Sequence, residues 1–237
     1  MVGLGTLIDV GLIVVGGVAG LAGGHLITER MRDSLVRATA VCILFVGLGG
    51  ALEQMLRVDG MGLASGGSLR IFASLAVGAV IGELIDIEAG IGRFGDWLRK
   101  RSGSEGDGTF VDAFVTASLT VCVGAMAVVG SIQDGVAGTW GTLALKGALD
   151  AVIVCIMAAS MGRGAVFSAV PVALFQGTIT LAARGIEPWL TAGAVNAISM
   201  VGSILIFCVG VNLIWPKTFR VANMLPALVV AAVLAYV

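Results

Sequence analysis

A chain of 237 residues that is 58% hydrophobic and only 12% charged lacks the polar residues of a soluble domain, which carries about 25% charged residues. Its net charge of −1 leaves no electrostatic footprint for nucleic acid, and its mean hydropathy of +1.05 directs it to a bilayer. Short segments of alternating hydrophobicity are missing, which excludes a β-barrel and leaves an all-α polytopic membrane protein.

Apolar windows of about 20 residues can each cross a core of about 30 Å at about 1.5 Å per residue. They predict seven spans, at 3–24, 35–54, 69–87, 111–131, 142–161, 165–183 and 190–213. The first span has neither a basic leader nor a small-residue cleavage site and reads as a retained helix. A short apolar helix at 224–237, with Pro226 near its start, completes a single integral membrane domain over 1–237.

In the first span, Asp9 lies two turns in, and Gly16, Gly20 and Gly24 follow at four-residue intervals on one face. Such a stripe admits a close-packed helix, either a neighbour in the same chain or the same face of a second copy in a homodimer. His25 falls in the loop beyond it. The second span ends on Glu53 and Gln54. The third repeats the glycine spacing at Gly78 and Gly82 and carries Glu83 three residues before Asp86, on one helical face. The basic run "RFGDWLRKR" from Arg93 reads as a loop that sets topology, and "SGSEGDG" from Ser102 as a flexible connector.

The fourth span ends on Gln133 and Asp134. In the fifth, Lys146 and Asp150 are four apart and can pair within the helix. Between the fifth and sixth, "GRG" at 162–164 turns the chain tightly. Pro171 then removes a backbone donor one turn into the sixth span, where Ser168 and Gln176 can meet freed carbonyls. Interrupted helices of this kind build substrate or ion sites in transporters, and a kink packed on a neighbour is the plainer reading. Asn196 opens the seventh span. Cys42, Cys122, Cys155 and Cys208 fall one to a span without paired spacing and read as apolar fillers.

Ten lysines and arginines map to one side of this topology and three to the other, with Lys146 inside a span. The richer side is cytoplasmic by the positive-inside rule, so the N-terminus is expected outside. Glu53, Gln133, Asp134 and Asn196 then line an outer vestibule, net acidic with Asp9 and Asp150 beneath it. "IFASLAVGAVIG" from Ile71 and "VFSAVPVALFQG" from Val166 share Phe, Val and Gly positions in oppositely directed spans. A three-plus-three inverted repeat would produce that pattern.

Several blocks together, "GELIDIE" from Gly82, "CVGAMAVVGSIQDG" from Cys122, "LKGALDA" from Leu145, "GRGAVFSAVPVALFQG" from Gly162 and "ANMLPAL" from Ala222, resemble the bacterial YqgA-like inner-membrane proteins, domain of unknown function 554. The resemblance runs from the first span to the C-terminus and implies a multi-pass protein of the bacterial inner (plasma) membrane without an agreed activity. The motif positions it marks here are Glu83, Gln133, Asp134, Lys146, Asp150, Ser168, Gln176 and Asn223. The family pattern carries Asn near the start of the first span; Asp9 adds a charge there.

Ionisable groups inside spans cost at least about 2.5–3.5 kcal/mol in lipid and therefore face an interior or a cavity. Asp9, Glu83, Lys146, Asp150, Ser168 and Gln176 are the expected path of a secondary transporter for a small cation or an amino-acid-like zwitterion. A structural or assembly subunit of a membrane complex is the alternative; it would show the same polar groups paired off in a dry interior. No enzyme is expected, because HExxH, nucleophile-elbow and P-loop patterns are missing, and no cofactor or metal is expected either.

Overall fold

Uninterrupted Leu, Ile, Val and Gly from Leu4 to Gly24 give α1, whose buried face runs through Thr6, Asp9, Ile13, Gly16 and Gly20 at helical spacing. The computed structural model describes residues 2–24, 26, 28–59, 62–122, 125–186 and 191–236. His25, Val123 and Gly124 within the fourth expected span, Leu190 at the start of the seventh and Val237 lie outside the described residues.

Thr28 caps α2 (Glu29–Met55) by accepting from the Met31 N–H at 3.3 Å, so this helix starts well before residue 35. A short antiparallel hairpin, β1 (Leu56–Asp59) and β2 (Gly62–Ser65), leads to α3 (Ser68–Ile85). Asp86, at φ 53°, ends α3 and begins α4 (Ile87–Arg101). The expected basic loop is thus a helix. A Cβ on Gly95 would come within 2.9 Å of the Phe114 ring, so glycine permits the close approach there, and Arg99, Lys100 and Arg101 suit the negative end of the helix dipole. Trp97 remains exposed and stacks on Phe94. The connector expected to be flexible is held by the Asp107 carboxylate, which accepts from the Thr109 N–H (3.0 Å) and hydroxyl (2.8 Å), and Ser104 within it is buried.

The fourth expected span is two helices, α5 (Phe110–Cys122) and α6 (Ala125–Ala137), bent by 63°. α7 (Gly141–Met161) follows. A 3-10 segment, Arg163–Ser168, feeds α8 (Ala169–Ile186). Pro171 therefore sits in the first turn of α8, where a missing N–H leaves no bond unmade; the irregularity precedes it. α9 (Ala192–Ile214), a second 3-10 segment (Val221–Met224) and α10 (Pro226–Leu234) end the chain. Among the described residues six helices are long and apolar enough to cross a membrane, and the bent pair makes a seventh span if counted as one; the stretch 221–234 is a shorter apolar helix.

Two seams organise the helices. A methyl group on Gly16 would overlap the Ala151 carbonyl and one on Gly20 the Cys155 carbonyl, while at Gly24 it would lie 3.5 Å from the Ala159 oxygen. α1 and α7 therefore run parallel in backbone contact, and the stripe that a homodimer would need is filled by the chain's own α7. On the opposite flank Gly78 meets Ala227 and Gly82 meets Asn223. Between them α2 packs antiparallel on α9, through Gly47 and Gly50 on Ser203 and Gly210 on Leu44. One apolar core gathers Ile13, Ala117, Val154, Met157 and Val172; another gathers Leu119, Leu205, Val209, Val221 and Ala222. Leu7, Phe45, Leu69, Phe72, Leu84 and Leu181 point outward. The backbone is satisfied inside the helices and apolar side chains face out, the arrangement that lipid requires.

Candidate functional site

Gly147 is the residue that makes the site. A Cβ there would lie 2.8 Å from the Cα of Asp9, so only glycine lets α1 and α7 meet at this level. The neighbouring Lys146 reaches across, and its Nζ donates to Asp9 Oδ2 at 2.9 Å. One turn on, Asp150 lies on the same face and also accepts from Lys146 Nζ. α8 closes the group with Gln176, whose Nε2 donates to Asp9 Oδ2 at 2.5 Å. Asp9 and Gln176 are fully buried, and Lys146 and Asp150 are 7% and 6% exposed.

Formal charges sum to −1: two carboxylates against one ammonium. Two buried acceptors, Asp9 Oδ1 and Gln176 Oε1, have no hydrogen-bond partner. Unsatisfied buried acceptors and a net buried charge are both costly, and one proton or one monovalent cation relieves the charge. Among the described residues no three of His, Cys, Asp and Glu gather into a metal-binding group.

The cluster continues toward the N-terminal end of α1. Thr6, three residues before Asp9, meets Thr180, four after Gln176, through their hydroxyls at 3.3 Å. Above them Asp134 on α6 accepts from the N–H groups of Gly3 (3.2 Å), Gly5 (2.9 Å) and Thr6 (3.3 Å). Asp134 is fully buried and caps α1, which corrects its placement at a wet vestibule.

The remaining expected residues are dispersed. Gln133 is exposed and accepts from the Thr142 hydroxyl at 2.7 Å. Glu53 and Asn196 line a separate cavity of about 210 Å³ with Gln54 and Arg70. The single outer vestibule expected from sequence is therefore divided between two places. Ser168 is fully buried at the junction of the 3-10 segment and α8; its Oγ has no partner and no hydrogen bond ties it to the cluster. Glu83 lies toward the other end of the helices, half-exposed, where it accepts from Arg220 Nη1 at 2.9 Å.

Residues 4–236 match the family described as "Protein of unknown function (DUF554)". The chain belongs to that family. It is 27% identical over 233 residues to the uncharacterized membrane protein YdfK of Bacillus subtilis (strain 168), covering 98% of this chain and 96% of that one. It is also 27% identical over 232 residues to the uncharacterized protein YqgA of Escherichia coli (strain K12), covering 96% and 94%. No solved structure matches.

For this DUF554 member the blocks that carried the resemblance now have physical roles. "LKGALDA" holds Lys146, Gly147 and Asp150 together, so one heptad supplies the close approach and both charges of α7. "ANMLPAL" supplies Asn223, whose Oδ1 accepts from the Glu88 N–H at 2.7 Å and caps α4. Burial pushes the Glu88 carboxyl above its ordinary 4.5, with Arg220 opposing and Glu83 and Asp86 adding to the rise. Arg220 is held further in its protonated form by the hydrogen bond it donates to Glu83. Sequence reading missed Thr6, Gly147 and Thr180. Their signal was spacing: each lies on the helical face of an ionisable or amide residue already singled out.

Proposed function

We propose that this DUF554 protein is a secondary transporter of a small cation or a zwitterionic solute, with Asp9, Lys146, Asp150 and Gln176 as its coupling site. One observation carries the reading: three helices bring a net buried charge of −1 and two unpartnered acceptors to one point at membrane depth. A purely structural network would be expected to close its hydrogen bonds, since each open acceptor costs about 1–3 kcal/mol. A site that exchanges a proton or a cation needs such open valence. The coupling step is loss or gain of one positive charge, which changes how strongly Lys146 is held between Asp9 and Asp150. The lysine and arginine bias supports an N-terminus outside a bacterial inner membrane. The reading is non-enzymatic.

The assembly-subunit reading draws on a different observation: Lys146 already pairs with both carboxylates, and neither the 210 Å³ polar cavity nor the larger apolar ones are lined by the cluster. Uptake into proteoliposomes of a panel of monovalent and divalent cations and amino acids, wild type against Asp150→Asn, separates the two. Flux that the substitution abolishes is the expected result. Equal flux in the variant overturns the coupling role of Asp150, and no flux from folded protein across the panel favours the assembly reading.

A further inference from the structure

We propose that the cavity between α2, α3 and α9 binds a small zwitterion of the α-amino-acid class, Glu53 meeting its ammonium group and Arg70 its carboxylate. This site is separate from the buried cluster and rests on the transport reading for its purpose, not for its geometry. The cavity holds about 210 Å³, room for about seven waters at about 30 Å³ each or for one small amino acid and its residual hydration.

Its two charges come from adjoining elements. Glu53 is in the last turn of α2 and Arg70 in the first turn of α3. The hairpin between them pairs Leu56 with Ser65 through Asp59 with Gly62, and the Gly66 N–H closes its base on the Met55 carbonyl at 2.9 Å. The two helix ends are thereby fixed relative to each other. Glu53 and Arg70 share the cavity wall yet form no ion pair with each other, and among the described residues neither has another ion partner. Two opposite charges that line one cavity without pairing with each other favour a ligand that carries both complements, since a simple anion or cation satisfies one and is repelled by the other.

Neutral groups complete the site. Gln54 and Asn196 each offer an amide that donates and accepts. Gly67 at φ 82° is the N-cap of α3 without any side-chain cap, so the first N–H groups of that helix add to the positive pole beside Arg70. A side chain at Gly67 would come within 3.2 Å of the Met200 thioether that floors the cavity. The same ammonium-plus-anion chemistry occurs in phosphoethanolamine lipid headgroups, and the experiment distinguishes that source.

The test is equilibrium binding of radiolabelled glycine, L-alanine, L-serine and L-glutamine to the full chain in nanodiscs, with no gradient imposed. Saturable binding of at least one is expected, and Glu53→Gln and Arg70→Gln should each raise Kd about tenfold or more. Both side chains stand at the rim of the fold, so an unchanged thermal midpoint certifies each variant. Absence of saturable binding at millimolar amino acid, or an unchanged Kd in both variants, overturns the proposal. Binding of glycerophosphoethanolamine but of no amino acid overturns it in favour of a lipid headgroup. Binding without uptake would leave this site standing and remove the transport reading. Uptake of an amino acid without binding here would do the reverse.

Discussion

The α1–α7 seam and the seam between α3 and residues 221–234 use one packing device on opposite flanks and treat charge in opposite ways. In both, glycines four apart let a helix backbone touch its neighbour: Gly16 and Gly20 on Ala151 and Cys155, Gly78 and Gly82 on Ala227 and Asn223. In the first, an ion cluster is sealed between the helices; in the second, the ion pair of Glu83 with Arg220 stands 48% and 62% exposed. Position relative to the stripe accounts for the difference. Asp9 is seven residues before Gly16 and so on the stripe's own face, whereas Glu83 is next to Gly82 and about 100° away from it. A glycine seam therefore buries whatever lies on its line, and α7 meets Asp9 with a lysine.

The sharpest way to break the comparison is to remove that lysine. Lys146→Met leaves two buried carboxylates without a counter-charge and should cost about 3–5 kcal/mol, with Asp9→Asn in the same chain restoring much of it. Glu83→Gln at the other seam should leave unfolding unchanged, because its partner is in solvent. Denaturation in mixed micelles reads both, and equal losses would show that the two ion pairs stabilise the fold alike. Next in size, Gly20→Ala and Gly78→Ala should each cost about 1–3 kcal/mol by forcing backbones apart, while Gly11→Ala, with open space at its Cβ, should cost nothing. Gly78→Ala should also leave any coupled flux intact, and Gly20→Ala should not.

Asp134→Ala removes a carboxylate that accepts three N–H bonds at the start of α1, for an expected loss of about 1–2 kcal/mol. Amide exchange at Gly5 and Thr6 should accelerate, and unchanged protection there would show that the cap is dispensable. The smallest effect belongs to Glu88. Burial raises its carboxyl above 4.5, so the fold favours the neutral form. That contribution is complete below pH 4.5 and is lost as pH rises through the folded value. Glu88→Gln should flatten the fall in unfolding midpoint as pH rises above 4.5, leaving the rest of the profile in place.

Hydropathy found the long apolar helices because a membrane helix is defined by length and composition, both local properties, although α2 begins well before the expected span and α6 runs on past it. It read through the bend between α5 and α6, which is as apolar as a straight helix. It also took α4 for a loop, because an amphipathic helix with three basic residues in its last turn has no apolar window. The pairing of Lys146 with Asp150 was legible as a four-residue spacing, and the burial of Asp9 and Gln176 as that of polar groups in apolar runs. That Glu83 and Asp134 do not join them was not legible. Depth along a helix says how far a charge lies from water, not which way it faces.

Sequence by itself determined that this chain is an all-α polytopic membrane protein of the DUF554 family, because composition and motif blocks need no partner to be read. Only the tertiary structure decided which polar residues meet. Asp9 and Gln176 are 167 residues apart in the chain, and what joins them is the parallel contact of α1 with α7 at Gly147 and the return of α8 beside both. Close approach in lipid is governed by which small residues on two distant helices come into register, and that register belongs to no single segment of the sequence.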